Sequence, residues 1–159
     1  MKLSEDLDIK GRLTLQQRNA DNEILAEITV NNSIVSDGRE LVAKLFAGDT
    51  GIQTISHVAV GTGSSDVDVA NDKTLKNQLY RKAITNKREL TRIIESNQFK
   101  GRTKVTITVE LGSGEANGTL TEAGLFNAET DGVMYNRVVF PAINKTDQFT
   151  LTLIWEIIF

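Results

Sequence analysis

Lys104-Val105-Thr106-Ile107-Thr108-Val109-Glu110-Leu111 alternates apolar and polar residues without a break. Val105, Ile107, Val109 and Leu111 point one way and Lys104, Thr106, Thr108 and Glu110 the other, the period-two signature of a half-buried strand. Its β-branched residues suit a pleated surface. Residues 148–159 repeat the theme: Phe149, Leu151, Leu153, Trp155, Ile157 and Phe159 share a face. Ile154 and Ile158 add apolar groups to the opposite face, so the end of this strand is expected to be covered on both sides. The two runs predict a mainly antiparallel β fold. They also predict a core holding Val105, Ile107, Val109, Leu111, Phe149, Leu151, Leu153 and Trp155 on facing or adjacent strands.

Working outward, residues 12–16 and 23–31 flank Asn19-Ala20-Asp21-Asn22, a hairpin turn signal. In the second of these strands Ile24, Ala26, Ile28 and Val30 are expected to face the core. Residues 55–61 read as a short strand, 81–96 as a long basic one with a bulge or bend, and 133–140 as a strand entered through Asp131-Gly132. One helix is expected after Ser36 as its N-cap, with Asp37 at its positive end, and Leu41, Val42, Leu45 and Phe46 as one apolar stripe. Gly48 supplies the stop. A second short helix is expected within 70–80, where Leu75 and Leu79 lie four apart. The architecture expected is a single antiparallel β-sandwich over 11–159 with one or two short helices, preceded by an N-terminal arm over 1–10.

The 159 residues hold no Cys, one His and one Pro. Disulfides, thiolate nucleophiles and cysteine metal sites are therefore excluded, and His clusters with them. No run approaches the ~18 apolar residues that span a bilayer, and the charged start carries no secretory signal, so synthesis in a cytoplasm is expected. Gly61-Thr62-Gly63-Ser64-Ser65 follows a strand like a phosphate cradle, but lacks the third Gly of the dinucleotide fingerprint and the Gly-Lys-Ser/Thr ending. Asp66, Asp68 and Asp72 alternate like calcium ligands, but Ala70, Asn71 and Asn77 break the register such a loop needs. His57 sits just before Val58-Ala59-Val60, where a strand position explains it. The reading is of no enzyme, no cofactor, no metal and no small-molecule substrate.

Charge is unevenly placed. From Lys76 to Lys104 nine basic residues face only Glu89 and Glu95, a net of +7, which leaves −10 on the rest of a chain whose total is −3. Such a stripe can serve nucleic acid, an anionic partner or contact between copies. It carries no interleaved aromatic platforms, only Tyr80 and Phe99 near its ends, and no helix to enter a groove, which argues against nucleic acid. Arg81, Lys82, Lys87, Arg88 and Arg92 are the candidate interface residues. The plain alternative is that they line the solvent faces of strands and guard exposed edges.

Thr121-Glu122-Ala123-Gly124-Leu125-Phe126-Asn127-Ala128, followed by Asp131-Gly132, a strand, and Phe140-Pro141, resembles a stretch of the tail-collar fibre family of bacteriophages, "T-E-x-G-L-F-(D/N)-A … D-G … FP". Upstream, Asn31-Asn32-Ser33-Ile34-Val35 and Ile55-Ser56-His57-Val58-Ala59-Val60-Gly61-Thr62-Gly63 resemble small structural proteins of tailed phages. The resemblance spans residues 31–159 and implies a virion part at the baseplate, tail-fibre attachment or collar. It implies a protein made in the bacterial host that works as repeated copies among other virion proteins. In collar-type fibres a shaft follows this module; here the sequence ends at Phe159, so a standalone adaptor is expected. Capsid decoration is the alternative within the class, and a small glycan- or receptor-binding module the alternative from another. Within the motif, Thr121, Glu122, Gly124, Leu125, Phe126 and Pro141 carry the likeness. Gly124 is expected to permit a close backbone approach. Leu125 and Phe126 should lie on opposite faces, one in the core and one free to meet a neighbour. Pro141 should end its strand or mark an edge.

Overall fold

The computed structural model describes residues 9–85, 88–95 and 98–159. Nine strands and one helix follow in the order β1 (Lys10–Arg18), β2 (Ile24–Ile34), α1 (Ser36–Phe46), β3 (His57–Gly61), β4 (Gln78–Ala83), β5 (Arg88–Glu95), β6 (Gln98–Leu111), β7 (Gly118–Phe126), β8 (Met134–Lys145) and β9 (Thr150–Ile158). The mainly β, antiparallel class expected from the alternation holds. The strands form one sheet, ordered β4-β3-β7-β8-β2-β1-β9-β6-β5 and curled into a half-barrel. Two separately bonded sheets of a sandwich are not what the ladder shows, because β2 joins the halves. Its length pairs with β1, and Ser33 and Ile34 at its end pair with Arg137 and Asn136 of β8.

The curl encloses the main core. Trp155 of β9 lies between Leu13 of β1 and Ile107 of β6 in the cross-strand register, and all three are buried. Opposite them, Val58, Val60, Leu120, Ala123, Leu125, Val138 and Phe140 close the same cluster from β3, β7 and β8. The expected core residues take these places, with Val105 and Phe149 partly buried at its margin. A second, smaller cluster forms on the outer face of β3, β7 and β8. There Ala59, Phe126 and Met134 meet Val35 and Leu75.

Several expectations are corrected. The long strand over 81–96 is two strands, β4 and β5, at opposite ends of the sheet order. No helix forms within 70–80: 70–77 is turn and bend, and Gln78 starts β4. Leu75 turns into the outer cluster while Leu79 is exposed on the edge strand, so their spacing of four was not a helix face. Ile24 and Ala26 are exposed, and only Ile28 and Val30 of that set reach the core, because the first half of β2 pairs with β1 alone. Helix α1 takes Val35 as N-cap, with no side-chain cap bond. It stops as expected at Gly48 (φ 79°), where the Gly48 and Asp49 N–H groups donate to the Leu45 and Lys44 carbonyls in a Schellman turn. Phe46 leaves the apolar stripe and is exposed. Pro141 does not end β8, which runs on to Lys145; it lies where β8 has lost its β2 neighbour and where the β7 register shifts, the edge position a residue without an N–H tolerates. The expected arm falls mostly on residues 1–8, outside the described residues; Ile9 already packs on the core and Lys10 opens β1.

Gly124 meets its expectation. A Cβ there would lie 2.7 Å from the Asn136 carbonyl oxygen and 3.2 Å from Leu75 Cδ2. Backbone cannot yield as a side-chain tip can, so Gly124→Ala is expected to cost about 1–3 kcal/mol, the usual overpacking range. Urea unfolding of wild type and variant checks this through the midpoint.

Candidate functional site

Strand alternation places Glu122, Gly124 and Phe126 of β7 on the outer face, with Arg137 and Met134 of β8 beside them. A register shift between Leu120 and Glu122 lets Leu120 keep facing the core together with Ala123 and Leu125. The outer face would strand two charges, since Glu122 and Arg137 are each 0% exposed. They pair: Arg137 Nε donates to Glu122 Oε2 at 2.8 Å. Segment 61–77 then folds over them. Glu122 accepts the backbone N–H groups of Gly63, Lys76 and Asn77 at 2.8–3.0 Å. Arg137 Nη1 donates to the Asp72 carboxylate at 3.1 Å and to the carbonyls of Ser65 and Asp66. Lys76 completes the set with an ion pair to Asp72 at 2.5 Å.

This cluster answers two motifs. The glycine-rich turn at 61–65 does hold an anion, and that anion is the chain's own Glu122. The acidic residues are engaged as well. Asp72 faces two cations, and Asp68 accepts the Ala70 and Asn71 N–H groups. Among the described residues no three metal-ligating side chains gather. Burial pushes the Glu122 carboxyl up, but the Asn77 N–H, the Arg137 guanidinium and the other two N–H groups outweigh it and hold it below the usual carboxylate range. Asp72 is held low in the same sense: burial opposes, while Lys76, the Asp68 N–H and Arg137 prevail. His57 Nδ1 lies 2.8 Å from Ser56 Oγ of the preceding residue.

Leu125 and Phe126 do face opposite ways, but Phe126 meets no neighbouring molecule's space: Leu75 covers it and the Arg81 guanidinium lies 3.8 Å from its ring centroid. Arg81 also donates to the carbonyls of Ala128 and Asp131. Lys82 pairs with Glu115 at 2.6 Å and donates to the Glu110 carbonyl. Both residues thus bind the molecule together. Arg92 is likewise engaged, and Lys87 lies outside the described residues. Arg88 alone of the five has no ion-pair partner among the described residues. On the outer face of β1, β9 and β6, Lys10, Arg12, Arg102 and Lys104 gather about Glu156, which pairs with Arg12 and Lys104.

Arg88 borders the feature that no motif announced, an apolar groove of about 290 Å³ at one end of the half-barrel. Leu41, Val42 and Leu45 of α1 form one wall. Val105, Ile107, Ile157 and Phe159 form the other, and Ile55 and Tyr135 complete it. Leu90 pairs with Val105 in register and so extends the same face to the sheet edge, 72% exposed. Phe46, adjacent to Leu45, stands 94% exposed. Sequence reasoning missed Arg137, Asp72 and this groove. For Arg137 a signal existed: opposite charges in the apolar strands on either side of the 127–133 turn, close in the register that turn imposes. Comparisons of the chain with models of known families, with curated proteins and with solved structures give no match.

Proposed function

We propose that this protein is a structural component of a tailed-phage particle, at the baseplate, tail-fibre attachment or collar, made in the bacterial host and acting through protein–protein contact. The observation that supports contact as its work is the open apolar groove beside α1 with Phe46 and Leu90 exposed next to it. Soluble chains seldom leave contiguous apolar surface open without a partner to cover it. The charged residues of the phage-like motif hold segment 61–77 in place, which leaves recognition to surfaces elsewhere. The particle assignment draws on the likeness of residues 121–141 to collar-type proteins. Arg88 and the cations about Glu156 supply the charge that would steer association.

Gold-labelled antibody against the purified protein, applied to purified particles of the phage that encodes it, tests the reading. Label at fixed positions on the tail or its baseplate is expected. Particles that carry no copy of the chain, by labelling and by mass spectrometry, overturn it.

A further inference from the structure

Phe46 and the groove are neighbours on one helix. Leu45 lines the groove, and the next residue projects away from it almost wholly into solvent. The Schellman turn at Gly48 fixes the end of the helix, so Phe46 and Asp49 keep a set relation to each other. Asp49 is exposed, and Arg88 at the groove has no ion-pair partner among the described residues. An aromatic knob beside an apolar hole, with an acid on the knob side and a cation on the hole side, is self-complementary. A two-fold axis near the end of α1 would place each knob in the other hole.

We infer that the groove receives Phe46 of a second copy of this chain, giving a symmetric dimer in which Asp49 of each copy faces Arg88 of the other. The inference rests on the reading of the protein as a contact-making component and names its first partner. Phe46 fills the apolar space between α1 and the β6–β9 wall. Leu90 and Phe159 are covered around it, and the crossed Asp49–Arg88 pairs set the relative orientation of the two helices. Aromatic anchors in desolvated pockets dominate such interfaces, with charges at the rim acting mainly on specificity and rate.

Sedimentation equilibrium over a wide concentration range tests it on the full chain. Wild type is expected to dimerise. Phe46→Asp should weaken dimerisation by about a hundredfold, as loss of a central anchor does. Its melting temperature extrapolated to low concentration should not change, because Phe46 is exposed in the single chain. Asp49→Arg and Arg88→Asp should each weaken the dimer by about tenfold, and the double exchange should restore it. A wild type that stays monomeric throughout, a Phe46→Asp protein that dimerises as wild type does, or a double exchange without rescue overturns the inference. Particle labelling separates this from the broader reading. Monomeric wild type on labelled particles refutes the dimer alone, whereas a rescued dimer absent from particles refutes the particle role alone.

Discussion

Trp155→Ala is expected to lower unfolding free energy by about 3–5 kcal/mol, the range for emptying a large aromatic site. Trp155 is 0% exposed and is flanked in register by Leu13 and Ile107. It therefore touches strands from both ends of the chain, and its removal leaves a cavity that neither neighbour can fill without moving a ladder. Denaturant unfolding followed by far-UV circular dichroism measures the loss. A cost below about 1 kcal/mol would mean that the site collapses or that the indole is not a core element.

Arg137→Met should cost a similar amount, about 3–5 kcal/mol near neutral pH, because it leaves two buried carboxylates with a single partly exposed lysine between them. The pH dependence identifies the cause. In wild type the Glu122 and Asp72 carboxyls are held below their usual range. The stability they contribute is therefore fully present above the ordinary carboxylate pKa and is lost as pH falls through the lowered folded values. In the variant burial acts on Glu122 with less opposition, its pKa rises, and the protein loses less on acidification. The gap between the two proteins should narrow steadily from pH 7 to pH 4. A constant gap would assign the cost to lost packing of the arginine stem instead. Glu122→Gln combined with Arg137→Met should recover part of the loss, since a neutral amide tolerates the site better than an unpaired charge.

Most strands were readable because one face of each is buried and the period of two survives in the residues. The register of β6 on β9 and the place of Trp155 follow from that alternation. What was hidden depends on partners distant in the chain. Residues 78–95 carry charge on both faces, so nothing local shows that they divide into strands at opposite edges. The seam at Ser33 and Ile34, which makes one sheet of two halves, rests on two pairs and leaves no periodic trace. Leu75 and Leu79 mimicked a helix because spacing does not say that one residue is pinned under a folded segment. Phe46 completed an apolar stripe in the sequence, yet α1 turns that position outward. Glu122 was noticed through a family-like motif; its physical role became clear only with Arg137, fifteen residues on, lying against it.

The two outermost strands of this sheet are consecutive in the chain. Ala83 ends one edge and Arg88 begins the other, and five residue steps span at most about 18 Å when fully extended. The link acts as the chord of an arc: however the strands twist, the mouth of the half-barrel cannot open wider than that chord. Lys82, bound to Glu115 and to the Glu110 carbonyl, rivets the same gap from within. A single proteolytic nick in this link would remove the limit on curvature without deleting any core contact. The sheet would then be free to flatten and offer both unpaired edges to other chains, so the integrity of one short connection governs whether the particle component stays a discrete subunit or becomes a template for aggregation.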